Sequence, residues 1–331
     1  MTLNRRRLLA AATSLLPCLQ ATAATLRAIE RSSLTRIVVG FPPGGPVDRV
    51  ARLVANQLGA AESHAAGVTV DNRSGAGGQL AIQHVKSSAP DGRTLLLTPM
   101  SMLGLYPHTY QRLAYDPMVD LEPVTQAVVV DCGFAVGPLV PASVQSLHDF
   151  LNWCKQHPSM ASFGSPGAGS SPHFVGALMG QAAGVKLEHI AYRGTLPAVQ
   201  DMVAGHVAAA CAPTGDFIEP MAAGTCRLLA TTATRRGRFT PETPTLRELG
   251  FQDIAFSEWF GVFTPSGTPP SVIQTLHAAL NTALQAGSVR TTLAQTHIEV
   301  QTSTPDRLGA MLQTDTALWA SLVASTGFKA N

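Results

Sequence analysis

Two segments carry residue types able to receive an anion: Phe41-Pro42-Pro43-Gly44-Gly45-Pro46-Val47-Asp48 and Ser165-Pro166-Gly167-Ala168-Gly169-Ser170-Ser171-Pro172-His173. Each follows a short β-like run, Arg36–Gly40 and Met160–Gly164, and each opens a helical pattern. In a glycine-rich strand-to-helix turn, successive backbone N–H groups point outward together, and the helix dipole adds partial positive charge. A sharp turn alone would also use these residues, because proline fixes φ and glycine permits φ > 0. The repetition of the device favours a pair of anion-receiving loops, and the chemistry suits a small carboxylate.

Other residues divide between structural and chemical roles. Asp48 serves equally as a first-turn helix acid or as a ligand contact. Ser170 and Ser171 cap the following helix with the same N–H groups that bind anions. Arg193 suits a bidentate carboxylate, but an internal partner such as Asp201 is favoured. His173 reads as a packed, hydrogen-bonded histidine, and Trp259 and Phe260 as residues that line or support a cleft. Gly75-x-Gly77 has Leu80 where a dinucleotide fingerprint needs its third glycine, so that segment reads as structural. Gly-x-Ser-x-Gly and His-Glu-x-x-His are both missing from the sequence, and its histidines are dispersed, which argues against an exported hydrolase. No His/Cys spacing suits a metal, so neither metal nor cofactor is expected. Cys132, Cys154, Cys211 and Cys226 have no Cys-x-x-Cys spacing and read as buried thiols, with Cys211 and Cys226 the pair to test for a disulfide.

These residues are set in a near-neutral chain. The 331 residues carry a formal charge of +2, with 13% charged and 45% hydrophobic residues. Asn4-Arg5-Arg6-Arg7, the apolar stretch Leu8–Leu16 and Ala21-Thr22-Ala23 make residues 1–23 an export signal. The arginine run also resembles a twin-arginine signal, and Sec export stays open beside it. Pro17 spoils a lipoprotein box at Cys18. Losing that signal removes three arginines and leaves 20 basic against 21 acidic residues. Nothing there favours nucleic acid. A periplasmic protein without a membrane span is expected.

The elements that position the loops alternate. Strands over 37–41, 68–70 and 94–98 alternate with helices over 47–58 and to about 87, which predicts a largely parallel sheet flanked by helices. A second such lobe runs from about 144 to 232. Long β-like runs at 124–136 and 254–264 predict two strands crossing between lobes. The expected division is 24–126 and 255–331 for one lobe and 127–254 for the other, with a ligand cleft between them and hinge closure.

Eight motifs recur in order along this chain. The first four are Phe41-Pro42-Pro43-Gly44-Gly45-Pro46-x-Asp48, Asn72-Arg73-x-Gly75-Ala76-Gly77-Gly78, Ala89-Pro90-Asp91-Gly92 and Tyr115-Asp116-Pro117. Ser170-Ser171-Pro172-His173, Tyr192-Arg193-Gly194, Trp259-Phe260-Gly261 and Pro265-x-Gly267-Thr268-Pro269 follow. Together these resemble the extracytoplasmic solute receptors of the Bordetella uptake gene family, the binding components of tripartite tricarboxylate transporters. The likeness spans about Thr35 to Gly327.

That resemblance implies an α/β, two-lobed type II periplasmic binding protein fold of the Venus-flytrap kind, without enzymatic activity. It implies a small carboxylate ligand: a di- or tricarboxylate, an acidic amino acid or an aromatic acid. A membrane permease is the implied partner and a monomer the expected state; a receptor serving a signalling system is the alternative. The ligand would be gripped by Phe41, Pro43, Gly44, Gly45 and Asp48 from one lobe. Ser165, Gly167, Ala168, Gly169 and Ser170 would meet it from the other, with Ser101 and Thr195 on the wall and waters bridging. Ala212 stands where relatives carry an aspartate, so the implied ligand lacks an amino group beside its distal carboxylate, unless Asp216 compensates.

Overall fold

The computed structural model describes residues 35–60 and 67–330. The export signal expected over 1–23 lies outside them. Strand β1 (Thr35–Val39), helix α1 (Pro46–Gly59), β2 (Val68–Asn72), α2 (Gln79–Lys86) and β3 (Thr94–Pro99) form the alternating pattern seen in the sequence. β1 lies between β2 and β3 and runs parallel to both. A strand paired on both edges and covered on both faces needs apolar residues throughout, and Ile37, Val38 and Val39 are all buried. α1 buries Val47, Val50, Ala51, Val54 and Leu58, the spacing of a single helical face.

A π-helical turn (Ser101–Leu105) and the short helices α3 (Tyr106–Thr109) and α4 (Pro117–Asp120) lead to β4 (Leu121–Val130). The second lobe holds β5 (Cys132–Val136), α5 (Leu147–Gln156), β6 (Ser162–Ser165), α6 (Ser171–Ala183), β7 (Glu188–Ala191), α7 (Thr195–Val203), β8 (Ala209–Pro213), α8 (Ile218–Ala222) and β9 (Arg227–Thr231). The chain then returns through β10 (Glu258–Pro265), α9 (Pro270–Gln285), α10 (Gly287–Ala294), β11 (Ile298–Val300) and α11 (Pro305–Thr326).

The strand orders are β11-β4-β10-β3-β1-β2 and β7-β6-β8-β5-β9. Both sheets are mixed, which corrects the expectation of mostly parallel ones. β10 runs antiparallel to β3 and β4, and β5 antiparallel to β8 and β9. A helical crossover enforces parallel pairing only between the strands it joins. The strands beside the passages between sheets have no such helix.

The passages also differ from expectation. The run at 124–136 breaks at Asp131 into β4 in one sheet and β5 in the other. β10 belongs wholly to the first sheet, so the return is made by the irregular segment 232–257 and not by a crossing strand. The two passages are tied side by side: the Ser257 hydroxyl donates to Asp131 Oδ1 at 2.7 Å, and Thr232 N–H to the Cys132 carbonyl at 2.9 Å. The two passages thus form one doubly tied neck between the sheets.

α11 reaches across both lobes. Trp319 packs its ring 6.1 Å from Phe174 on α6 and 5.1 Å from Phe256 on the return segment. All four described cysteines are buried free thiols, and Cys211 and Cys226 sit in separate apolar clusters.

Candidate functional site

A cavity of about 420 Å³ lies between the sheets, walled where three helices begin. α1 contributes Gly45, Pro46 and Val47; α6 contributes Ser170, Ser171 and Pro172; α7 contributes Thr195, Leu196 and Pro197. First-turn N–H groups have no partner within their own helix, and the dipole makes them attractive to anions. α1 and α7 carry no side-chain cap, so those amides are open to an acceptor from outside. α6 differs, because the Ser170 hydroxyl accepts from His173 N–H at 3.4 Å and donates to the Gly167 carbonyl at 2.7 Å.

Of the residues expected from the sequence, Phe41, Pro43, Gly45, Ser101, Ser170 and Thr195 line this cavity. Phe41, Gly167 and Ala168 line a second hollow of about 590 Å³, which shares Pro42, Pro166, Arg193 and Gly194 with the first. Gly44, Asp48, Ser165, Gly169 and Ala212 line neither.

Each departure has a physical cause. Asp48 folds back on its own loop: Oδ2 accepts from Gly44 N–H and Arg52 Nε, both at 2.8 Å, and Oδ1 from Asn72 Nδ2 at 2.8 Å. Burial alone would raise its pKa, but Arg52, the Gly44 amide and Asn72 outweigh that and hold the carboxyl below its ordinary value. The Gly44 amide is thereby spent. Ser165 Oγ pairs with His189 Nε2 at 2.7 Å, beneath the second loop. Gly169, at φ +79, turns its N–H to His173 Nδ1 at 3.1 Å, a conformation that glycine adopts without strain. Ala212 is buried within the second sheet opposite Gly133. Arg193 does not pair with Asp201, which accepts instead from the Tyr192 hydroxyl at 2.8 Å and lies 3.3 Å from His206. Arg193 is exposed and lines both hollows, while Trp259 turns its indole to Asp315 and Phe260 lines the cavity.

The stacked histidines under the second loop make a pH-sensitive support. Their ring centroids are 3.8 Å apart. Burial lowers His173 to about 4, and burial together with the neighbouring His173 lowers His189 to about 3. Below the ordinary value of 6.5 the unfolded chain takes up protons that the folded pair refuses, so this pair withdraws stability as pH falls from 6.5 towards 4. His189→Gln is therefore expected to flatten the fall of melting temperature across that window. An unchanged slope would contradict the assignment.

Sequence reasoning missed Glu258. It begins β10, is 5% exposed and forms part of the cavity wall. Ser101 N–H donates to Oε1 at 2.9 Å, and the Ser171 hydroxyl donates to Oε2. This carboxyl thus spans the lobes from β10 to the start of α6. Burial raises its pKa to about 7 despite those donors. A lone acid in the apolar run Ile254–Thr264 was the available signal. Burial raises Asp216 to about 6, and the Thr195 hydroxyl beside its carboxyl opposes that rise.

Two lobes joined by a tied neck, with a cavity walled by helix starts from each, fit a two-lobed solute-binding protein. The comparisons specify which kind. Residues 50–328 match the tripartite tricarboxylate transporter family receptor, and the chain belongs to that family. BugT of Bordetella pertussis is 33% identical over 299 residues, covering 89% of each chain. A Rhodopseudomonas palustris protein solved with adipate superposes with a TM-score of 0.84 at 26% identity, covering 90% of this chain and 98% of that one. MatC from Rhodopseudomonas palustris with bound malate gives 0.81 at 28% identity, covering 88% and 99%. The matching family is one of receptors, not of enzymes.

Proposed function

We propose that the protein is a periplasmic receptor that captures a small carboxylate between its lobes, 24–126 with 255–331 on one side and 127–254 on the other. It acts as a monomer and hands the ligand to a tripartite permease. The observation that carries this reading is the meeting of two uncapped helix starts, α1 and α7, on one cavity. Gly45 and Val47 on one side and Thr195 and Leu196 on the other offer main-chain donors to a carboxylate, and Arg193 offers charge. The relatives solved with adipate and malate support a carboxylate as the group recognised.

Charge-assisted hydrogen bonds contribute about 1.5–3 kcal/mol each, so a few suffice for micromolar affinity after ordering costs. Lobe closure about the Asp131–Ser257 neck would replace the hydration of the anion with these donors. Calorimetry against a panel of small carboxylic acids tests the reading. One-to-one binding is expected, with the acid recovered chemically unchanged by mass spectrometry. A panel without a binder, or a recovered product of altered mass, would overturn it.

A further inference from the structure

Among the described residues lining the main cavity, Glu258 is the one acid and Arg193 the one cation. Much of the remaining wall is apolar or proline, including Pro43, Pro99, Pro172, Pro213, Leu196 and Phe260. Proline contributes no N–H, so these surfaces offer a second anion nothing to replace its lost hydration.

The donors beside Glu258 are already engaged. Ser101 N–H and the Ser171 hydroxyl both donate to its carboxyl. The groups facing it from other elements supply no positive charge. Ser101 and Tyr106 face it from the segment after β3, Ser171 from α6, Cys132 from β5 and Asp315 from α11. Asp315 is itself a carboxyl and opposes ionisation of its neighbour.

We propose that Glu258 selects the charge of the ligand: the cavity takes one carboxylate on an uncharged, largely apolar body and turns away a second carboxylate. The proposal rests on the carboxylate-receptor reading above. The ligand carboxylate docks on the open amides of α1 and α7 with Arg193 nearby. Its far end meets Glu258, where an apolar or hydroxyl group is tolerated and a second anion meets like charge at a buried site. Burial raises Glu258 to about 7. A dicarboxylate therefore gains access as the pH falls and Glu258 takes up a proton.

Hexanoate and adipate form a matched pair of probes, because one terminal methyl replaces one carboxylate. At about pH 8, calorimetry on the full mature chain is expected to show hexanoate bound at least about tenfold more tightly than adipate. Glu258→Gln keeps the shape and removes the charge, and should bring the two acids to within about threefold. In the unaltered protein the gap should also narrow between about pH 8 and about pH 7, where Glu258 takes up its proton and both acids stay essentially ionised. That pH series decides the matter even if Glu258→Gln melts early. Equal affinities at about pH 8, or a gap insensitive to both pH and the substitution, would overturn charge selection and leave the receptor reading intact. Failure of both acids to bind would overturn the proposal, while the receptor reading stands or falls with the wider panel of acids.

Discussion

Asp48→Ala is expected to cost about 3 kcal/mol of stability, a melting temperature lower by roughly 5–10 °C, and to weaken ligand binding at the same time. Asp48 is the internal anion of the first loop. Its carboxylate holds Gly44 N–H and Asn72 Nδ2, and Asn72 also donates to the Phe41 carbonyl at 3.0 Å. Removing it leaves these donors without their acceptor and frees the turn that presents Gly45 and Val47 to the cavity. Arg52 adds little, since its side chain is 51% exposed and its charge is screened by water. A direct ligand contact would behave differently, losing affinity with an unaltered melting point for the free protein. Differential scanning calorimetry of free Asp48→Ala separates the two. The same carboxyl predicts acid sensitivity: its pKa is lowered, so its contribution is present above the ordinary value of 3.8 and is lost as pH falls through the folded value.

Gly215→Ala should have the second large effect, and it acts beside the neck between the lobes. A Cβ at this position would lie 2.0 Å from the backbone oxygen of Thr296, which no side-chain rotation relieves. Gly215 follows β8 of one sheet, and Thr296 leads into β11 of the other. The adjacent Thr214 N–H donates to the Asp131 carbonyl at 2.9 Å, beside the passage between lobes. The added methyl is therefore a wedge between lobes. Overpacking of this kind costs about 1–3 kcal/mol, and here it also splays the cleft, so affinity is expected to fall roughly tenfold or more. Small-angle scattering with saturating ligand should show a larger radius of gyration than for the unaltered protein. Unchanged affinity and an unchanged radius would contradict the wedge.

Much of this fold was legible in the sequence because its signals are local. The face of α1 at Val47, Val50, Ala51, Val54 and Leu58, and the proline at the first helical position of α11, report on neighbours within a turn or two. Strand direction was not legible in the same way. Whether β10 runs with or against β3 depends on where the chain re-enters the sheet after crossing a whole lobe. The site divides along the same line. Gly45, Ser170 and Thr195 stand at helix starts, and helix starts are written in the sequence. Asp48 could be placed at the start of α1, but its return to Gly44 depends on a side-chain rotamer and on Asn72, which arrives from the next strand. Glu258 reaches the cavity through partners at 101 and 171, and only the assembled fold brings those together.

A crystal structure with the tightest-binding acid from the calorimetric panel tests the central claim most directly. The ligand carboxylate oxygens should lie within hydrogen-bonding distance of first-turn amides of both α1 and α7, with the lobes closed around them. Density for the acid away from both helix starts would contradict the account.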